Sequence, residues 1–244
     1  MEQTQKRERN GEPIKLGELN MLPILVAMIV GFIAVALFVI LRKRSSARRD
    51  FVLAGINEAG KSSIFMRVLH DKFPETFTSI KENVSDYKVG NISARLVDIP
   101  GHYRVREKCF EQYKKTAKGI IFVLDSVTIQ KDIRDVADAL YTILTDSATL
   151  PCKFVVMCNK QDLTTAKSVQ VIKTSLEKEM NIIRDTRSRK LQSVGDDDAN
   201  KPVYLGKPGK DFEWSHLQQN IQFYEASAKD GDLNNLTDWM EKLL

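Results

Sequence analysis

Gly55-Ile56-Asn57-Glu58-Ala59-Gly60-Lys61-Ser62 is the stretch that decides the fold. It fits G-x-x-x-x-G-K-[ST], the pattern of a loop that wraps phosphates. Ahead of it, Asp50-Phe51-Val52-Leu53-Ala54 is short and mostly apolar, fit for a buried parallel strand. Behind it, Ser62 to His70 sets Ile64, Phe65, Val68 and Leu69 on one face of a helix. A strand before and a helix after set this stretch apart from a glycine-rich turn that matches by accident. Gly55 and Gly60 permit backbone angles closed to residues with a side chain. Consecutive N–H groups can then point at phosphate oxygens, and the helix N-terminus adds positive potential there. Lys61 is expected to reach the β- and γ-phosphates and the Ser62 hydroxyl to ligate Mg²⁺. Ser63 is counted with the loop as nucleotide-binding.

Outward from that loop, three further elements follow in order. Ala94-Arg95-Leu96-Val97-Asp98 alternates into an apolar strand ending in an acid, and Asp98-Ile99-Pro100-Gly101 continues it. Asp98 is the candidate outer ligand of Mg²⁺, and the Gly101 N–H is placed to meet the γ-phosphate. Val155-Val156-Met157-Cys158 is another buried-strand run, and Asn159-Lys160-Gln161-Asp162 leaves its end. In open α/β sheets ligands bind beyond the strand carboxyl ends. A carboxylate there offers only acceptors. Guanine presents two adjacent donors and adenine does not, so Asp162 favours guanine and leaves adenine facing an unpaired charge. The Lys160 stem is fit to cover the base plane, and Asn159 to tie this loop to the phosphate loop. Ser227-Ala228-Lys229 follows the run Ile221 to Glu225, where backbone N–H groups can meet the guanine O6.

Between the first two elements, Lys72 to Lys81 is polar and loop-like. Thr78 is the expected ligand that binds Mg²⁺ only when the γ-phosphate is present, with Thr76 as the fallback. Loss of that phosphate would relax this loop and the one after Asp98. His102 follows Gly101, where many GTPases orient the attacking water with a glutamine. It is the candidate catalytic residue. Arg104 and Arg106 lie close by, with nothing in the sequence to turn either inward. Slow or partner-assisted hydrolysis is therefore expected.

Met21 to Leu41 contains no charged residue. At about 1.5 Å per residue such a run spans roughly 30 Å, a bilayer core. A core helix would show a polar face, and a signal peptide a shorter apolar region and a small-residue cleavage site. A single spanning helix is expected. Arg42, Lys43, Arg44, Arg48 and Arg49 follow it, whereas the preceding tail balances its four basic residues with four acids. The positive-inside rule leaves the C-terminal side in the cytosol. The expected organisation is a tail over 1–20, the span over 21–41, a basic linker over 42–49 and one domain over 50–244.

The chain has 244 residues and a net charge of +5, and the five basic residues from Arg42 to Arg49 account for all of that charge. They adjoin anionic lipid, so the charge makes no case for direct nucleic-acid binding. Cys109, Cys152 and Cys158 lack metal-ligand spacing and suit a reducing compartment. Strands are expected near 50–55, 84–89, 92–98, 119–124, 153–158 and 221–226. Helices are expected near 61–71, 104–117, 131–147, 165–182 and 232–243. That alternation predicts a doubly wound six-stranded α/β sheet of the P-loop NTPase, small GTPase type. Residues 185–210 carry Asp196-Asp197-Asp198, three glycines and two prolines, and are expected to be mobile or to contact a partner.

With these residues in view, the chain resembles the beta-subunit family of the signal recognition particle receptor, membrane-anchored relatives of the Arf and Sar small GTPases. The marks are Thr78-Ser79-Ile80, Asp98-Ile99-Pro100-Gly101-His102, Asn159-Lys160-Gln161-Asp162, Leu205-Gly206-Lys207-x-Gly209-Lys210 and Ala226-Ser227-Ala228-Lys229. The resemblance implies GTP and Mg²⁺ as ligands, an endoplasmic reticulum membrane location with a lumenal N-terminus, GTP-dependent binding of the receptor's alpha subunit, and a role in cotranslational targeting. Two other readings stand beside it. One is an Arf-type traffic GTPase, although Glu2 occupies the position where N-myristoylation needs glycine. The other is a scaffold that holds GTP without hydrolysing it.

Overall fold

Apolar residues alternate along β1 (Asp50–Ala54): Phe51 and Leu53 face one side of the sheet, Val52 and Ala54 the other. Both sides are buried, which is why the strand reads as a continuous apolar run. In the computed structural model, which describes residues 25–33, 48–76, 78–192 and 204–244, this strand sits near the middle of a six-stranded sheet. The others are β2 (Asn83–Val89), β3 (Ile92–Asp98), β4 (Ala117–Asp125), β5 (Lys153–Asn159) and β6 (Ile221–Glu225). Their order is β2-β3-β1-β4-β5-β6. All neighbours are parallel except β2, which pairs antiparallel with β3, so the sheet is mixed.

Helices cover both faces. On one side α1 (Lys61–His70) and α5 (Asn234–Glu241) pack Ile64, Phe65, Leu236 and Trp239 against Phe51, Leu53 and Val155. On the other, α2 (Tyr103–Tyr113), α3 (Ile129–Leu144) and α4 (Val169–Gln192) pack Phe110, Leu140 and Leu176 against Val52, Phe122 and Val156. The predicted doubly wound layering is what forms. Cys158 is buried in β5 as a core thiol, and burial pushes its pKa up to about 12.

Several boundaries differ from the sequence-based expectation. The helix predicted over 165–182 is α4, which starts later and runs ten residues further. Its extension covers the first part of the stretch expected to be mobile. After residues 193–203, which lie outside the described residues, the chain packs again: Leu205, Phe212 and Trp214 are buried against α4 and β6. Arg184 fixes this return, donating to Lys210 O at 2.7 Å and to Asn181 Oδ1. Arg48, counted from sequence with the basic linker, is built into the domain. Its guanidinium donates to Ala117 O and Ala148 O, each at 2.9 Å. The contact-defined unit accordingly runs from Arg48 to Leu244.

Of the predicted spanning segment, residues 25–33 are described. They are helical, and Leu25, Val26, Met28, Ile29, Val30, Phe32 and Ile33 are each at least 51% exposed. Residues 21–24 and 34–41 lie outside the described residues. Among the described residues no helix is long and apolar enough to cross a membrane.

Candidate nucleotide site

The turn from β1 into α1 needs two glycines with positive φ, Gly55 at 141° and Gly60 at 87°. A Cβ on Gly55 would strike the Val123 carbonyl, and one on Gly60 the Asn159 amide. The loop is therefore wrapped tightly over the ends of β4 and β5. Lys61 is buried at its end, with Nζ donating to Ile56 O at 2.6 Å. Burial pulls its pKa down to about 8. Asp98 opposes that shift, and Arg106 adds to it.

Ser62 Oγ donates to Asp98 Oδ2 at 2.6 Å, and Asn83 Nδ2 donates to the same oxygen at 3.2 Å. Asp98 Oδ1 is buried with no hydrogen-bond partner among the described residues. Burial raises the Asp98 carboxyl above its ordinary range, against the pull of Ser62, Asn83 and Lys61. A buried carboxylate oxygen left without a partner beside a serine hydroxyl fits a hard cation. Among the described residues no group of three His, Cys, Asp or Glu could hold a metal. One carboxylate beside a hydroxyl is a donor set that Mg²⁺ accepts, its other positions going to water and phosphate.

A cavity of about 340 Å³ opens here, bounded by Asn57, Glu58, Gly60, Lys61, Ser62, Thr76, Thr78, Ser79 and Gly101. It gathers the predicted phosphate loop, both candidate threonines and Gly101. It also gathers Ser79, which in the sequence stands only as a mark of the resemblance and not as a site residue. The Ser79 hydroxyl lies 3.2 Å from that of Ser62, next to Asp98, and the Thr76 hydroxyl lies 3.3 Å from that of Ser63. A run of hydroxyl residues in a polar loop carries no register, so the sequence had no signal to separate Ser79 from its neighbours.

A second cavity, of about 270 Å³, shares Gly60 with the first and is bounded by Ser63, Phe73, Asn159, Lys160, Asp162, Ala228 and Lys229. Asn159 joins the two, its Nδ2 donating to Ala59 O at 2.9 Å while its Oδ1 accepts from Ala228 N at 3.1 Å. Asp162 accepts from Ser227 Oγ at 3.0 Å, and Lys229 Nζ lies 3.8 Å away. Lys160 adopts a φ of 68° and pairs with Asp125 at 2.6 Å. Asp125 and Phe73 are further residues of this end that the motifs did not name. Arg67 is another: its Nε donates to Ala228 O at 3.1 Å and holds the third loop against α1.

His102 stands apart. It is exposed, stacks on Tyr103 with ring centroids 5.0 Å apart, and does not bound the first cavity. Arg104 donates to the same tyrosine hydroxyl at 2.7 Å. Arg106 is the arginine that turns toward the phosphate loop. It lines an adjoining cavity of about 580 Å³ with Asn57, Glu58, Gly101 and Asp135. Burial lowers its pKa, with Glu107, Asp138 and Asp135 pulling the other way.

A mostly parallel sheet, a phosphate loop after its first strand and an Asn-Lys-x-Asp turn after its fifth together define a small GTPase fold. Residues 46–221 match the family described as signal recognition particle receptor beta subunit, and the chain belongs to that family. It is 37% identical over 236 residues to the human signal recognition particle receptor subunit beta, covering 92% of this chain and 87% of that one. Among solved structures, the mammalian SRP receptor superposes with a TM-score of 0.72 at 36% identity, covering 80% of this chain and all of the other. A complex from Chaetomium thermophilum, described as SRb-GTP/SRX, shares the fold with a TM-score of 0.64 at 18% identity, covering 79% and 99% of the two chains.

Proposed function

We propose that this protein is a GTP-loaded, membrane-anchored subunit that captures the receptor's alpha subunit when GTP is bound, and so serves cotranslational targeting at the endoplasmic reticulum. Family membership supports the receptor role, and the Chaetomium relative is described with GTP and SRX together. The observation that carries the nucleotide reading is the bridge made by Asn159. It ties the loop around Lys61 to the loop around Asp162, so one elongated ligand with a phosphate tail and a donor-bearing base fits both ends.

In this reading the amides of 55–63 and Lys61 hold the phosphates. Ser62, Asp98 and a hydroxyl of the 76–79 loop, Thr78 or the nearer Ser79, hold Mg²⁺. Gly101 meets the γ-phosphate, and Asp162 with Ser227, Ala228 and Lys229 reads guanine. Mg²⁺ would neutralise phosphate charge. Seven exposed apolar residues over 25–33, within a charge-free run, support a single-pass anchor. The basic residues behind it support a lumenal N-terminus and a cytosolic domain.

One observation favours the scaffold reading for hydrolysis: His102 rests on Tyr103 and not in the cavity. Hydrolysis is then slow unless a partner reorients it, which single-turnover assays with and without the alpha subunit would measure.

The nucleotide reading is tested by identifying what co-purifies with the protein and by Asp162→Asn. GTP or GDP should be recovered from the wild type, and the variant should weaken GTP binding while gaining affinity for xanthosine triphosphate. Recovery of ATP, or guanine preference unchanged in the variant, would refute it.

A further inference from the structure

Because β1, β3, β4, β5 and β6 run parallel, their N-terminal ends gather at the end of the sheet opposite the nucleotide cavities. The register sets basic residues side by side there. Arg49 N donates to Thr116 O at 2.9 Å, which places Arg49 beside Lys115, and Lys153 pairs with Gly119, one residue from Lys118. Arg49, Lys115 and Lys153 are exposed, and Lys118 is half-buried with Nζ 3.4 Å from Leu244 O. Two large apolar side chains stand among them, Ile92 at 53% exposure and Leu150 at 43%. Ile92 opens β3 and overhangs the start of β1, because the first residue of β1, Asp50, is level in β3 with Arg95.

Three of the acids nearby are already engaged. Glu111 and Asp146 both pair with Lys114, at 2.5 and 2.7 Å, and Asp50 is buried under Arg95. The end is thus a basic surface with a few apolar points. The chain also enters the domain here: Arg48 is pinned to Ala117 O, Ala148 O and the Cys152 sulfur. Only residues 42–47 separate it from the charge-free run. Fully extended, such a connection reaches roughly 20–25 Å.

We propose that this end of the domain, through Arg49, Lys115, Lys118 and Lys153 with Ile92 and Leu150, lies against anionic phospholipid. The nucleotide cavities then face away from the bilayer. The inference rests on the membrane-anchor reading, which fixes the distance, while the surface itself supplies the charge. Lipid is favoured over RNA because the tether holds this end near headgroups, within a few Debye lengths of about 8 Å.

The test uses the full chain in vesicles of phosphatidylcholine alone, and in vesicles with about one-third phosphatidylserine. Amide hydrogen exchange is followed over 88–93, 113–119 and 150–154. Exchange should be severalfold slower in the anionic vesicles. The protection should fade at high salt and in the combined variant Lys115→Glu, Lys118→Glu, Lys153→Glu. Equal exchange in both vesicles, with the chain resisting alkaline extraction, overturns the docking and leaves the anchor standing. Extraction from both vesicles overturns the anchor and this orientation together. Protection by added RNA but not by anionic lipid also defeats the proposal.

Discussion

Asn159 uses both ends of one amide to hold two loops that are far apart in sequence, and it is 2% exposed while doing so. Asn159→Ala would leave Ala59 O and Ala228 N buried without partners, a penalty of about 1–3 kcal/mol for each such group. The expected outcome is a loss of roughly 2–6 kcal/mol in chemical denaturation and a clear drop in GTP affinity. Unchanged affinity beside lowered stability would mean that the bridge is structural and does not shape the site. This residue was legible in the sequence because its motif fixes its position at a strand end, and the strand fixes where its side chain points. Arg106 and Ser79 were not legible. Their roles depend on how a helix turns and how a loop is threaded, and no letter pattern encodes either.

At the scale of elements, the central strands were legible to within a residue or two, because strands buried on both faces show as uninterrupted apolar runs. The segment after α4 was not. Its glycines, prolines and acids suggested a loop, while Leu205, Phe212 and Trp214, too few and too unevenly spaced to show a period, are anchored in the core. Trp214 is the main anchor. It sits edge-on to Phe212 and Phe223, with centroids 5.2 and 5.0 Å away, and its Nε1 donates to Lys173 O at 3.3 Å. Truncation of a buried tryptophan costs about 3–5 kcal/mol. Trp214→Ala should therefore lower the urea midpoint sharply and open residues 204–212 to limited proteolysis. An unmoved midpoint would show that this return segment adds nothing to the fold.

At the scale of the whole molecule, the site is shared among the turn after β1, the loop before β2, the end of β3, the turn after β5 and the loop after β6. Each of these leaves the same end of one sheet, so a ligand that touches them all resists unfolding of the entire domain. Stabilisation by a ligand at about 1,000 times its Kd is about 4 kcal/mol. For a domain near 200 residues each kcal/mol moves Tm by about 2–4 °C, so GTP or GDP with Mg²⁺ should raise Tm by roughly 10 °C. ATP should leave it nearly unmoved, because Asp162 offers adenine an acceptor where a donor is needed. Lys61→Ala should abolish the GTP shift, since it removes the buried cation without touching the base end. Scanning calorimetry of the nucleotide-free protein distinguishes these outcomes. An ATP shift equal to that of GTP would mean that the phosphate loop alone holds the nucleotide and that the second cavity reads no base.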